Sequence, residues 1–137
     1  MKVLVCGDRN WANEYRIGDG YLTRHDLGWE DYILTIEILD EIKLLQGIDL
    51  VIHGCARGAD QLGKHWAESR GVPVMEFPAE WDKYGKSAGP IRNRQMLWRG
   101  KPNMVLAFHR DFQHSKGTAN MVEIARKAKV LTSVFPR

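Results

Sequence analysis

No apolar run in the 137-residue chain approaches the roughly 20 residues a membrane-crossing helix needs, so no membrane partner is expected. The apolar part of residues 1–7 is too short for a secretory leader, and a cytoplasmic location follows as the expectation. Cysteine is scarce: Cys6 and Cys55 stand alone, and neither has a second cysteine or a histidine at zinc-ligand spacing. A disulfide framework is excluded, no metal centre is expected, and both cysteines read as small packing residues. Of the two, Cys55 has the setting, rich in glycine and flanked by arginine, in which a thiol becomes reactive. Charge is not blocked either. Twenty Lys and Arg against 17 Asp and Glu leave a net +3 spread along the chain, which argues against nucleic acid as partner but permits a local positive crevice. The dinucleotide fingerprint and the P-loop spacing are both missing.

What is there is alternation. Residues 2–6, 49–52, 72–78, 104–108 and 130–135 are short apolar, β-branched runs bounded by glycine, proline or polar residues, the pattern of strands buried on both faces. Between them lie segments of helical period. In 30–46, Leu34, Ile38, Leu39, Ile42 and Leu45 share one face, and Gly47 ends the helix. In the helix ending near Arg70, Ala59, Leu62, Gly63, Trp66 and Ala67 face inward while Asp60, Lys64, His65 and Glu68 point away. Helices are also expected over 90–99 and from 117 onward. Strands alternating with helices predict one α/β domain over 1–137: a doubly wound, mainly parallel five-stranded sheet with helices on both faces. Residues 12–29 have no clean period and read as a long loop serving as a lid, a binding loop or a partner surface.

Three turns carry the candidate chemistry, and right-handed crossovers bring them to one edge of the sheet. The central one is His53-Gly54-Cys55-Ala56-Arg57-Gly58-Ala59-Asp60, where a helix start offers unpaired N–H groups to an anion and two glycines permit close approach. A tight connection without a ligand is its bland alternative. The second is Gly89-Pro90-Ile91-Arg92-Asn93, preceded by Trp81 and Lys86; basic residues at a helix start oppose the dipole, so Arg92 is expected to meet an anion. The third is Gly117-Thr118-Ala119-Asn120, with Thr118 able to cap the helix or to bond a phosphate. Beyond the first strand, Gly7, Arg9 and Trp11 add a guanidinium for phosphate and an indole for a base, although Trp11 serves equally well as a plug at the sheet edge.

Four motifs, 7–11, 53–60, 85–93 and 117–121, taken in that order resemble the YspA-like branch of the SLOG superfamily. The resemblance spans nearly the whole chain. It implies a Rossmann-like domain that binds nucleotides or nucleotide-derived ligands such as ADP-ribose-like signals, often in small bacterial or bacteriophage proteins, without a further cofactor. It also implies that Gly54, Arg57, Gly58, Asp60, Arg92, Asn93, Gly117 and Thr118 line the pocket, and that the protein is a dimer, for which the Trp98 region or the 12–29 loop would supply the contact. The Lonely Guy phosphoribohydrolases of this superfamily cleave the base from nucleoside monophosphates with an arginine and a glutamate. That arginine falls at Arg92. The glutamate of their Gly-Thr-x-x-Glu pattern falls at Met121, and the stretch 109–116 replaces the preceding Pro-Gly-Gly.

The leading expectation is therefore a module that recognises or sequesters a nucleotide-like ligand, with Arg57 and Arg92 on phosphates and Trp11 or Trp81 against a base. The alternative is an N-glycosidase or phosphoribohydrolase acting on nucleoside monophosphates or NAD-like molecules, with Arg92 as anchor and Asp60 or Glu80 as the working carboxyl group. Glu123 lies two residues past Met121 and points elsewhere on the helix. Single-strand binding, known among related DNA-processing proteins, is permitted by Trp11, Trp81 and Trp98 among basic loops and disfavoured by the mild charge.

Overall fold

A computed structural model describes residues 1–12 and 27–137. Five strands form one sheet: β1 (Lys2–Gly7), β2 (Leu50–His53), β3 (Val74–Glu76), β4 (Met104–Phe108) and β5 (Leu131–Phe135). Their order is β3-β2-β1-β4-β5, and every pair is parallel. The chain moves outward from β1 to β3 and then returns to the far side of β1. That reversal opens a crevice between the carboxyl ends of β1 and β4, where open α/β sheets bind ligands.

The alternation of side chains along each strand builds two cores. Val3, Val5, Val51, Leu106 and Phe108 face α1 (Leu27–Gln46) and α2 (Ala59–Ser69), packing on Leu39, Leu62 and Trp66. Leu4, Cys6, Ile52, Val105 and Ala107 face the opposite layer. That layer comprises α4 (Ala88–Gln95) with the π-turn Met96–Gly100, and α5 (Gly117–Lys127), which supply Met96, Met121, Val122 and Ala125. The strand runs are apolar throughout because both of their faces are covered.

Several expectations need correction. Residues 27–29 belong to α1 rather than to a loop, and the rest of the 12–29 reading, past Ala12, lies outside the described residues. Leu45 is exposed instead of inward, as is its neighbour Leu44. His65 is half-buried against the Tyr32 ring, not solvated. The inward stripe of α1 includes two polar residues, Asp31 and Thr35, and both serve the loop after β1. The Trp11 indole donates to Thr35 Oγ1 at 2.9 Å, and the Ala12 amide donates to Asp31 Oδ2 at 3.1 Å.

Two glycines fix how the first loop meets the second. Gly7 and Gly58 have φ of 152° and 75°. A Cβ on Gly7 would strike the Phe108 carbonyl, and one on Gly58 would strike the backbone of Asp8 and Arg9. With both bare, Asp8 N donates to Phe108 O at 2.9 Å and Ala59 N donates to Asp8 O at 3.1 Å. The exit of β1 is held between the end of β4 and the start of α2. No helix among the described residues is long and apolar enough to cross a membrane.

Candidate functional site

At the switch point lies a cleft of about 440 Å³, floored by Cys6, Met96 and Met121 and walled by Gly7–Asn10, Ala56, Arg57, Asp60, Arg92, Asn93, His109 and Ser115–Thr118. A second hollow of about 580 Å³ adjoins it, bounded by Gly54–Arg57, Pro78, Ala79 and Trp81. Arg9, Ala56, Arg57 and Arg92 border both. One cationic ridge therefore divides two lobes.

Part of the central turn's backbone is already used by the protein: Gly54 N and Ala56 N donate to Asp60 Oδ2 at 3.0 and 3.2 Å, Cys55 N to His53 Nδ1 at 3.0 Å, and Ala59 N to Asp8 O. Asp60 occupies the place expected for a phosphate oxygen. The expectation that Asp60 points away from the fold is corrected with it, since the residue is only 5% exposed. Burial pushes its carboxyl up to about 6, against the lowering pull of the Ala56 amide, Arg92 and the Gly54 amide. What the turn offers a ligand is the exposed Arg57 side chain together with the Arg57, Gly58 and Asp60 amides, which have no partner among the described residues.

Arg92 is the best-anchored cation. Its Nη1 donates to the Gly54 carbonyl and, at 3.5 Å, to Phe77 O, while Nε donates to Asn93 Oδ1 at 3.0 Å. A Cβ on Gly54 would displace the guanidinium from this position. Arg92 Nη2 makes no hydrogen bond among the described residues, which leaves donors directed at the ridge. Asn93 is buried and passes the connection on, donating from Nδ2 to Gly117 O at 3.2 Å and Asn120 Oδ1 at 3.0 Å.

The second expected helix start is not free. A short helix, α3 (Trp81–Tyr84), and a 3-10 turn, Gly85–Ser87, run directly into α4, so the amides around Pro90 follow existing helical turns. Arg92 sits in the last turn of α4, where a cation suits the dipole. Gly89 is buried beneath Trp81, a Cβ there coming 3.5 Å from the ring, and therefore seats the indole. Lys86 is exposed and lines neither lobe.

The start of α5 is open as well. Ala119 N donates to Ser115 Oγ at 3.1 Å, and the first turn closes with Asn120 N on Lys116 O at 3.1 Å. The Gly117 and Thr118 amides lie ahead of that bond, at the wall of the cleft. Thr118 is buried and makes no cap; Ser115 does so in its place.

Other candidates are not brought to the cleft. Trp11, 2% exposed, packs on Phe108 beneath the Arg110 guanidinium, so the plug reading holds and a base cannot reach it. His53 is wholly buried behind the turn, and Ala59 is buried against the position a Cβ of Gly7 would take. Glu80 is exposed in a separate depression beside Lys83. Glu123 pairs with Lys127 at 2.9 Å. Trp81, by contrast, is 48% exposed and walls the second lobe. The sequence reading missed His109, Ser115 and Lys116, because a connection with no helical or strand period carries no signal of where it folds. Cys55 is pushed up to about 11 by burial and by its hydrogen bond to Glu76, which disfavours the reactive thiolate that its setting in the sequence permits.

Fold and cleft together define a Rossmann-like α/β protein with a cationic crevice at its switch point. Residues 22–84, which take in the central turn and Trp81, match the model of the YspA, cpYpsA-related SLOG family, and over that stretch the chain resembles it. It is also similar to the Gene 61 protein of Mycobacterium phage D29, 29% identical over 134 residues that cover 94% of this chain and 91% of that protein. No solved structure matches it significantly.

Proposed function

We propose that the cleft binds a nucleotide or nucleotide-derived phosphorylated ligand, a nucleoside phosphate or an ADP-ribose-like molecule, and that the protein acts as a sensor or sequestering module. The observation that carries this reading is the ridge itself: Arg9, Arg57 and Arg92 meet between two lobes, with Lys116 and the open start of α5 on one side and the exposed Trp81 ring on the other. Phosphates lie on the ridge, where guanidinium forks and backbone donors suit their oxygens. A base lies against Trp81, since an indole face serves any base. The match to the SLOG family model supports a ligand related to nucleotides.

Met121, 1% exposed, stands at the floor where a catalytic glutamate would be needed, and this favours retention of the ligand over its cleavage. One observation favours turnover as a second reading: Asp60, with its raised pKa, walls the same cleft as Arg92, a pairing suited to an N-glycosidase. Native mass spectrometry of protein purified from cells, with identification of whatever is released on unfolding, separates the two. An intact nucleotide derivative supports binding. A free base or ribose 5-phosphate supports turnover. For the binding reading, Arg92→Ala is expected to weaken affinity at least tenfold, the effect of losing one charge-assisted anchor of about 1.5–3 kcal/mol. Unchanged affinity for every nucleotide in a panel would overturn it.

A further inference from the structure

At the carboxyl ends of β2 and β3, beside the second lobe that Cys55 borders, three ligating groups converge. His53 ends β2, Glu76 ends β3 in register opposite it, and Cys55 lies two residues beyond His53. Cys55 Sγ is 3.3 Å and His53 Nε2 is 3.6 Å from Glu76 Oε2, and all three ligand atoms lie within 4.8 Å of one another. Ligands placed tetrahedrally around zinc at about 2.0–2.3 Å are separated by about 3.3–3.8 Å, so the spacing already suits one ion. His53 supplies an independent sign. It is 0% exposed, and Nε2, which faces the cluster, has no hydrogen-bond partner. Buried polar atoms without partners are rare and call for an explanation.

We propose that His53, Cys55 and Glu76 form a site for a single borderline-soft divalent cation of the zinc class. Nitrogen, thiolate and carboxylate are the zinc donor set, and the exposure of Glu76 leaves a fourth position to water. Lys64 Nζ lies 3.4 Å from Glu76 Oε1, which orients the carboxylate with Oε2 toward the ion.

Binding requires one rearrangement. In the structure His53 Nδ1 accepts the Cys55 amide, so a neutral imidazole carries its proton on Nε2, where the ion would bond. Rotating the Gly54–Cys55 peptide by half a turn removes this conflict. The Gly54 carbonyl then faces Nδ1 and accepts its proton, the usual arrangement behind a metal-bound histidine. The same rotation takes Cys55 out of the left-handed region, where it sits at φ 65° without being a glycine. On binding, the thiol proton leaves to solvent, and the imidazole proton passes from Nε2 to Nδ1. The Gly54 carbonyl is at present the acceptor for Arg92, so the bound ion and the Arg92–Gly54 hydrogen bond exclude one another.

Cobalt(II) titration of untagged, metal-free protein tests the site. One Co2+ per chain is expected, with thiolate-to-cobalt charge-transfer absorption that added Zn2+ abolishes. Cys55→Ala is expected to lose that absorption. Glu76→Gln, at an exposed position that leaves the fold intact, is expected to weaken the ion at least about tenfold. Absence of stoichiometric Co2+ in the wild type overturns the proposal, and so does an unchanged charge-transfer band in Cys55→Ala, which would place the thiolate elsewhere.

Discussion

Asp60 shows how one side chain can both build and tax a turn. Its carboxylate gathers the Gly54 and Ala56 amides, yet it does so while buried, and its pKa rises from the ordinary 3.8 to about 6. At about 1.4 kcal/mol per unit, the fold favours the neutral form by about 3 kcal/mol. Because the folded pKa lies above the unfolded one, this contribution is fully present below about pH 4 and is lost as pH rises through about 6. Asparagine keeps an acceptor for both amides and cannot ionise. The stability of Asp60→Asn relative to wild type is therefore expected to improve by about 2–3 kcal/mol between pH 4 and pH 7, as measured by urea denaturation at both. A constant difference would show that the carboxylate is not taxed by burial. Nothing in the local sequence announced this role, because a residue at the start of an amphipathic helix is equally able to point outward or to fold back on the preceding turn.

At the scale of elements, period and punctuation were informative and junctions were not. The five strands and the inward face of α2 follow from apolar spacing, since both are local patterns that the layers must bury. The start of α4 was misread because Pro90 marks a first turn in most contexts, whereas here the helical turns 81–87 already precede it. The start of α5 was placed correctly and its cap was not: Thr118 has the right chemistry, but its side chain is buried, and Ser115 reaches the Ala119 amide from outside. Ser115→Ala is accordingly expected to cost about 1 kcal/mol in chemical denaturation, the usual loss for a helix cap. Thr118 makes no such bond, so its replacement by valine is expected to spare that cap. The pairing of His53 with Glu76 was invisible in the sequence for a different reason. It depends on the register of two parallel strands, which no spacing along one chain reveals.

At the scale of the molecule, strand order decides where chemistry can occur. The alternation of strands and helices was enough to read a doubly wound sheet, and the sheet proved parallel throughout. It was also enough to place the loops at one edge, because handed crossovers leave few other arrangements. The two lobes and their shared ridge depended on side chains from 9, 57, 92 and 116 meeting across the sheet. A ligand held there stabilises the whole chain by mass action. At a hundredfold excess over Kd, about 2.7 kcal/mol is expected. For a chain of this size that raises Tm by roughly 8 °C in a thermal melt. For Arg92→Ala, weakened tenfold, the same nucleotide concentration is expected to raise the melt by only about half as much.

The bare contacts at Gly7 and Gly58 have a consequence for how the cleft comes into being. They clamp three stretches far apart along the chain, near 8, 58 and 108, into one backbone junction. The Phe108 side of this junction exists only once β4 has docked beside β1, and it is that side which fixes the exit of β1, with Arg9, at the edge of the crevice. Recognition is thus tied to completion of the sheet, and a nascent or nicked chain holding only part of it would present arginines without a crevice to converge on.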